Sequence, residues 1–517
     1  MAAEFRFGGD VKAALAVAVV LTMLGMLIGD TGVSVGLALL IIPALFYAAS
    51  KIPIRYSLMA MMFFAYILPN PQEGVSTGKW DMPLLQLGKV LLDHINTVDR
   101  TFGPLSVCSF SGLDLGFASL TVIALMRRSS GSKLDSAGRL STPVPLVKMA
   151  WLSLASIVFV WFMGLATGGE FSMSLWQLNA VMYVPIVFLL CHVGLRGPSD
   201  FRALSKVLLT AAAYKSALAV FVAINIRGPM DPYIGSDRLP YATAHADSIL
   251  FADACLLLIA LLLERRKIKL MAALLLPVFM AGMIANNRRM VWVQIILALV
   301  TVFLVSRDNP TKRFIKRSLL IGAPIAAIYV AVGWNSGGGN TFKPVRMLRS
   351  VVDAKSDGSS YWRELENYNL ITTMRHNLVF GTGLGHPYEQ AVAMPAVDYT
   401  LERYVPHNSI LGLWAYYGYV GYAGLTLLWA GGVYFAMRAY HGAKTGEARA
   451  GALFCFGAVV VWFMQCWGDL GLGVWVGIFT VAPSLAMAGK LAVATGEWTP
   501  KGTTKRVQAQ AAASPQA

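Results

Sequence analysis

Apolar residues run through this chain in long stretches separated by short polar turns. A helix needs about 20 mostly apolar residues, within a range of about 17–25, to cross a bilayer. Such stretches fall near 11–28, 31–49, 55–69, 109–126, 147–166, 173–195, 203–224, 245–263, 268–286, 290–306, 318–334, 407–437, 450–467 and 471–494. They predict an all-α, polytopic integral membrane protein of about 14 transmembrane helices, or 12 where a terminal pair forms a re-entrant hairpin. The first stretch leads quickly into the second, so it reads as a retained span and not a cleavable signal peptide.

Two connections break the rhythm. One runs from Pro69 to about Cys108, the other from Asn335 to Pro406. Long irregular connections in compact proteins tend to carry function. The predicted organisation is therefore 1–334 with the first eleven helices, 335–406 as a large outside loop, 407–494 with the last three helices, and 495–517 as a disordered tail on the inside. The loop opens on Gly337, Gly338 and Gly339. It then shows a helical pattern from Tyr361 to Arg375, with Trp362, Leu365, Asn369 and Thr372 on one face. That helix is expected to lie across the membrane surface.

Composition narrows the class. Hydrophobic residues make up 56% of the chain and charged residues 14%, and mean hydropathy is +0.59. Disorder needs low hydrophobicity, and so much apolar surface does not fit ordinary soluble cores. The net charge of +16 suggests an anionic membrane or nucleic acid, and the hydropathy selects the membrane. Arg127 and Arg128, Arg265 and Arg266, Arg307 to Arg317, and Arg438 to Arg449 all fall in loops on one side of the predicted topology. The positive-inside bias then places both termini in the cytoplasm. The five cysteines are scattered, without a C-x-x-C pair, and read as small buried hydrophobes.

Three groups could carry chemistry. His407 and Asn408 follow Pro406 where the large loop enters a span. A histidine at such a boundary can accept a proton near neutral pH, or the pair can simply cap a helix. Arg288 and Arg289 occupy a tight outside turn, and Arg238 precedes a span. Their placement opposes the positive-inside bias, and a guanidinium fork matches phosphate oxygens; the bland reading is headgroup snorkelling. Trp362 and Arg363 precede Gly381, Gly383 and Gly385. Such a turn suits close backbone approach to a ligand or a plain helix C-terminus. Within the spans, Lys215 and Asp253 are expected to pair, because ionisable groups at membrane depth are costly alone. Asp247, beside His245, is assigned either to structure or to the lining of a substrate path. The tryptophans, Trp176 and Trp475 among them, read as interfacial anchors before sugar platforms.

Taken in order, these pieces resemble the O-antigen ligase and polymerase family of bacterial membrane glycosyltransferases. The resemblance spans about Gly235 to Gly421: the Gly/Arg segment from Gly235, the turn at Asn287-Arg288, Trp362-Arg363, the glycine turn to Gly385, and His407-Asn408-x-x-Leu411 followed by Gly418 and Gly421. Asn287 stands where the family has serine, and Leu378-Val379 where it has proline, which leaves Arg288 and Arg289 as alternatives for the family arginine. The resemblance implies a periplasm-facing active site in the bacterial inner membrane. It implies a polyprenyl-diphosphate-linked glycan donor such as undecaprenyl diphosphate, and a glycan or lipid A-core acceptor. His407 would be the general base in an inverting transfer. Arg238, Arg288, Arg289, Arg363 and Asn408 would bind substrate, with no cofactor, no metal and no nucleic acid. A chain-length regulator protein would be a further partner beside the bilayer itself. Polymerase is favoured over ligase by the number of spans and the tail. The reading from another class is a polysaccharide flippase or secondary transporter, which would gather its polar groups near the midplane.

Overall fold

The computed structural model describes residues 44–69, 111–136, 138–227, 242–264, 269–335, 358–395 and 401–499, with a few isolated positions besides. The first two predicted spans and the tail fall outside them, apart from the end of the second span. Thirteen α-helices have both ends among the described residues, and residues 44–51 belong to a further one. The thirteen are α1 (Ile54–Ile67), α2 (Gly112–Ser129), α3 (Val144–Ala166), α4 (Phe171–Gly194), α5 (Pro198–Val222), α6 (Asp247–Glu264) and α7 (Lys269–Asn286). Then come α8 (Met290–Val305), α9 (Pro310–Gly333), α10 (Gly358–His376), α11 (Ser409–Gly442), α12 (Gly446–Gly468) and α13 (Trp475–Ala494). The predicted spans from 55–69 onward each coincide with one of these helices, most within a few residues, while α9 begins well before its predicted span at 318–334. Six helices (α3, α5, α9, α11, α12, α13) are long and apolar enough to cross a membrane, and α4, bent by 43° after Asn179, makes a seventh. Asp247, Asp253 and Glu264 interrupt the apolar character of α6, and α1, α7 and α8 are shorter apolar helices.

The bundle is built around α13, nearly all of which is enclosed, and α12. Close approach rests on small residues, as expected where lipid tails remove the hydrophobic drive between helices. A Cβ on Gly432 of α11 would stand 2.0 Å from Leu485 of α13, and one on Gly424 would stand 2.1 Å from Ser156 of α3. By contrast, α9 keeps Leu320, Ile321, Ile325, Ile328 and Val332 exposed, the surface expected to meet acyl chains.

The two ends of the bundle differ. At one end, loops rich in arginine are tied together: Arg127 to Asp135, Arg55 to Asp200, and Arg449 to Glu264. Lys490 donates to the carbonyls of Leu140 and His192. At the other end α10, the glycine turn and the start of α11 pack over the helix ends. The predicted face of α10 is displaced by about one residue: Glu366, Asn369, Leu370 and Thr373 are its buried positions. Asn369 holds both backbone groups of Val392, and Thr373 accepts from the Glu389 N–H.

The glycine turn is consumed by the protein's own backbone. Gly381, Gly383 and Gly385 all have left-handed φ, and α11 is broken at Gly418 (φ 58°). The break frees the carbonyls of Ala415 and Tyr416, which accept from Thr382 and Gly383, while Tyr419 N–H donates to Leu378. Gly383 lies against Gly164 of α3, and Gly385 bonds to Glu170 and Gln177. A Cβ on Gly418 would stand 2.2 Å from the Gly381 nitrogen. Gly418→Ala should therefore lose the left-handed preference, about 1–2 kcal/mol, and the turn packing besides. Gly496 has φ 78° in open space, so Gly496→Ala should lose only the first part. Thermal unfolding in detergent checks this; a Gly418→Ala melt equal to that of Gly496→Ala would show that the turn is not held by the break.

Candidate active site

A cavity of about 440 Å³ opens at the end capped by α10. Its wall includes His407, His245, Asp469, Lys215, Asn179 and Trp475. Two linked polar groups meet there.

The first is built on α10. Trp362 and Glu366 are one turn apart, so they share a face. The Glu366 carboxylate is fully buried and accepts the His407 backbone N–H at 3.2 and 3.1 Å. Its Oε1 lies 3.4 Å from His407 Nδ1. The Trp362 ring meets the imidazole edge-on at 4.9 Å. With the proton on Nδ1 facing Glu366, Nε2 keeps its lone pair, and it has no partner among the described residues. This is the base-plus-orienter arrangement of a general base. Asn408 has a different place: it caps α11, which begins at Ser409 and not at His407, and its Oδ1 accepts from the Leu411 N–H at 3.1 Å. Asn408 is 3% exposed and is not among the residues lining the cavity.

The second group joins α6, the α7–α8 turn and the α12–α13 turn. Asn287 has φ 58°, a conformation asparagine tolerates better than most residues. It turns the chain so that Arg288 is buried and its Nη1 donates to His245 Nε2 at 2.5 Å. His245 Nδ1 lies 2.6 Å from Asp469 Oδ2. One tautomer, with the proton on Nδ1, satisfies both contacts. Burial works to raise the Asp469 pKa, but the hydrogen bond from His245 and the charge of Arg363 act against it, and the carboxyl is held well below the usual range. Arg363 thus belongs electrostatically to this group although it stands on α10. Arg289 occupies the N-cap position of α8 without a side-chain cap; neither arginine is among the residues lining the cavity, and Arg288 meets it through His245. Arg238 lies outside the described residues.

Lys215 closes the floor. Its partner is Asp247 at 3.0 Å, with the Leu68 carbonyl at 2.9 Å, and not Asp253 as the sequence suggested. Six residues along α6 is 1.7 turns, so Asp247 and Asp253 face different neighbours. Both carboxylate oxygens of Asp253 are buried without a hydrogen bond among the described residues. Cys191, Cys255, Cys455 and Cys466 are buried thiols, as expected; Cys108 lies outside the described residues.

The sequence reading singled out His407, Arg288 and Arg363 but missed Glu366 and Asp469, and it gave His245 no role. Glu366 carried a readable signal, an acid one helical turn after Trp362 in a segment preceding a boundary histidine. Asp469 carried a weaker one, an acid in the short turn between two spans.

Residues 270–426, from α7 into the first half of α11, match the family model described as O-antigen ligase. No curated protein matches the chain. The match bears out the family resemblance and supports glycan transfer in O-antigen biosynthesis by a multi-pass membrane protein.

Proposed function

We propose that this chain, whose residues 270–426 match the O-antigen ligase family model, is a periplasm-facing glycosyltransferase that acts on polyprenyl-diphosphate-linked repeats. The observation that carries the reading is that His407, backed by Glu366, and His245 and Asp469, backed by Arg288, line one cavity. A transporter would place its polar groups near the midplane, whereas these stand at helix ends and in the α10 loop.

In this mechanism the acceptor hydroxyl attacks the anomeric carbon of the donor. Its proton passes to His407 Nε2, and the bond from that carbon to the phosphate oxygen breaks on the opposite face. The sugar inverts and polyprenyl diphosphate leaves. Glu366 orients the imidazole and stabilises the imidazolium, as a carboxylate does in a catalytic triad. Arg288 and Arg363 stabilise charge developing on the diphosphate, where preorganised donors act most strongly. His245, fixed by Asp469, orients Arg288. Arg238 and Arg289 would act as outer diphosphate contacts. In this reading the positive-inside bias turns the arginine-rich end of the bundle to the cytoplasm and the cavity to the periplasmic side of the inner membrane.

Polymerase and ligase differ only in the acceptor: another lipid-linked repeat, or lipid A-core. The number of predicted spans favours the polymerase, and the description of the matching family favours the ligase. Purified protein incubated with the host's lipid-linked repeat separates them. A ladder formed without core identifies a polymerase, and single transfer dependent on core identifies a ligase. Absence of both products under either condition would rule out glycosyl transfer.

A further inference from the structure

The cavity has a second wall that the mechanism above does not use. On α4, Trp176, Asn179 and Tyr183 follow one another at helical spacing, and the helix bends by 43° beside Asn179. The Tyr183 ring packs on Trp475 at 4.8 Å, and Phe117 packs on both. The Trp475 ring is thus held by aromatic neighbours, with Phe479 at 6.4 Å, and lines the cavity together with Asn179 and Trp176. An interfacial anchor would turn its ring to lipid; this one is gripped inside the bundle.

The polar atoms of this wall are of two kinds. Asp114 is fully engaged: it accepts from Ser111 N–H and Oγ–H, and from the Tyr183 hydroxyl. Gln177 is spent on Gly385, His386 and Tyr404. Asn179, Trp475 and Ser409 line the cavity, and the side-chain amide, indole N–H and hydroxyl they carry have no hydrogen-bond partner among the described residues. Ser409 sits two residues from the base, and its N–H donates to the His407 carbonyl. Lys215 is the one Lys or Arg among the described lining residues, and Asp247 neutralises it. The wall therefore offers neutral donors and acceptors beside an aromatic face, which suits a sugar and gives a phosphate nothing to pair with.

We propose that Asn179, Trp475 and Ser409 form a subsite for an uncharged sugar of the acceptor glycan, holding its nucleophilic hydroxyl towards His407. The proposal rests on the glycosyl-transfer reading and assigns the acceptor side of the same cavity. Diphosphate recognition stays with the guanidinium groups beside His245 and Asp469.

The test measures how a fixed amount of the host's lipid-linked repeat divides between transfer and hydrolysis by water. It uses full-length protein in nanodiscs and whichever acceptor, lipid-linked repeat or lipid A-core, gives product with the wild type. Asn179→Ala and Trp475→Phe each remove one hydrogen bond, and the phenylalanine keeps the ring packed on Tyr183. Each should lower the transfer-to-hydrolysis ratio about three- to tenfold, with the KM for acceptor rising in step. A wild-type ratio in both variants overturns the subsite. A rise in the KM for donor instead would assign the wall to the donor glycan and also overturn it. Wild-type protein that neither transfers nor hydrolyses removes the glycosyl-transfer reading itself, an outcome distinct from either.

Discussion

His407→Ala is expected to abolish glycan transfer, by about 10²–10⁴-fold, while the protein still inserts, folds and binds donor. The imidazole is about one-third exposed, so its loss leaves no deep void. Its backbone N–H, which Glu366 accepts, is retained. The expected defect is therefore in the chemical step, read as kcat with the KM for donor little changed. Glu366→Gln is the companion. It preserves shape but removes the charge facing Nδ1 and allows the amide to present a donor to the ring. Loss of the equivalent carboxylate in a Ser-His-Asp triad costs about 10⁴-fold, and a loss between about tenfold and that figure is expected here. If His407→Ala makes polymer at the normal rate, the base lies elsewhere. If Glu366→Gln is indifferent, the carboxylate merely holds the loop.

The second large effect belongs to Arg288. Its Nη1 is spent on His245, and the planar fork leaves its remaining N–H groups in a fixed direction. Lysine keeps the charge but not the fork, so Arg288→Lys should lose about 10²–10³-fold in kcat, the range for removal of one preorganised donor. Arg289→Lys should change the rate by less than about threefold, because it is Arg288 that is buried and hydrogen-bonded to the cavity-lining His245. Membrane preparations with matched expression and a labelled lipid-linked donor give the comparison. The reverse ranking, with Arg289 sensitive and Arg288 tolerant, would move the diphosphate to the other side of the turn.

The bundle was largely legible because burial in lipid forces helices, and apolar length reports them directly. Most described spans lie within two or three residues of the sequence reading; α9 begins earlier, because its first two turns carry Lys312, Arg313, Lys316 and Arg317. The site was legible where chemistry and position coincided, as at His407 and Arg288. It was not where a residue's role depends on a partner distant in the chain. His245 gains its meaning from Asp469 and Arg288 together, and no local pattern joins three separate turns. Lys215 shows the same limit on a finer scale. An acid was expected opposite it on α6, but helix rotation in the packed bundle selected Asp247 over Asp253. The glycines of the turn announced an unusual backbone without revealing whether a ligand or the protein itself would approach it. The break at Gly418, far along the chain, supplies that answer.

That stitching also bears on how parts can be exchanged among relatives. The α10 loop is sewn by main-chain hydrogen bonds into Glu170, at the start of α4, and the break in α11, and its Gly383 packs on Gly164 at α3's end, so it is no portable cassette. A chimaera that swaps the loop alone would join its glycines to a foreign break and a foreign small residue at position 164. A workable graft has to carry the end of α3, the loop and α11 as one unit, and recombination points belong at the arginine-rich end.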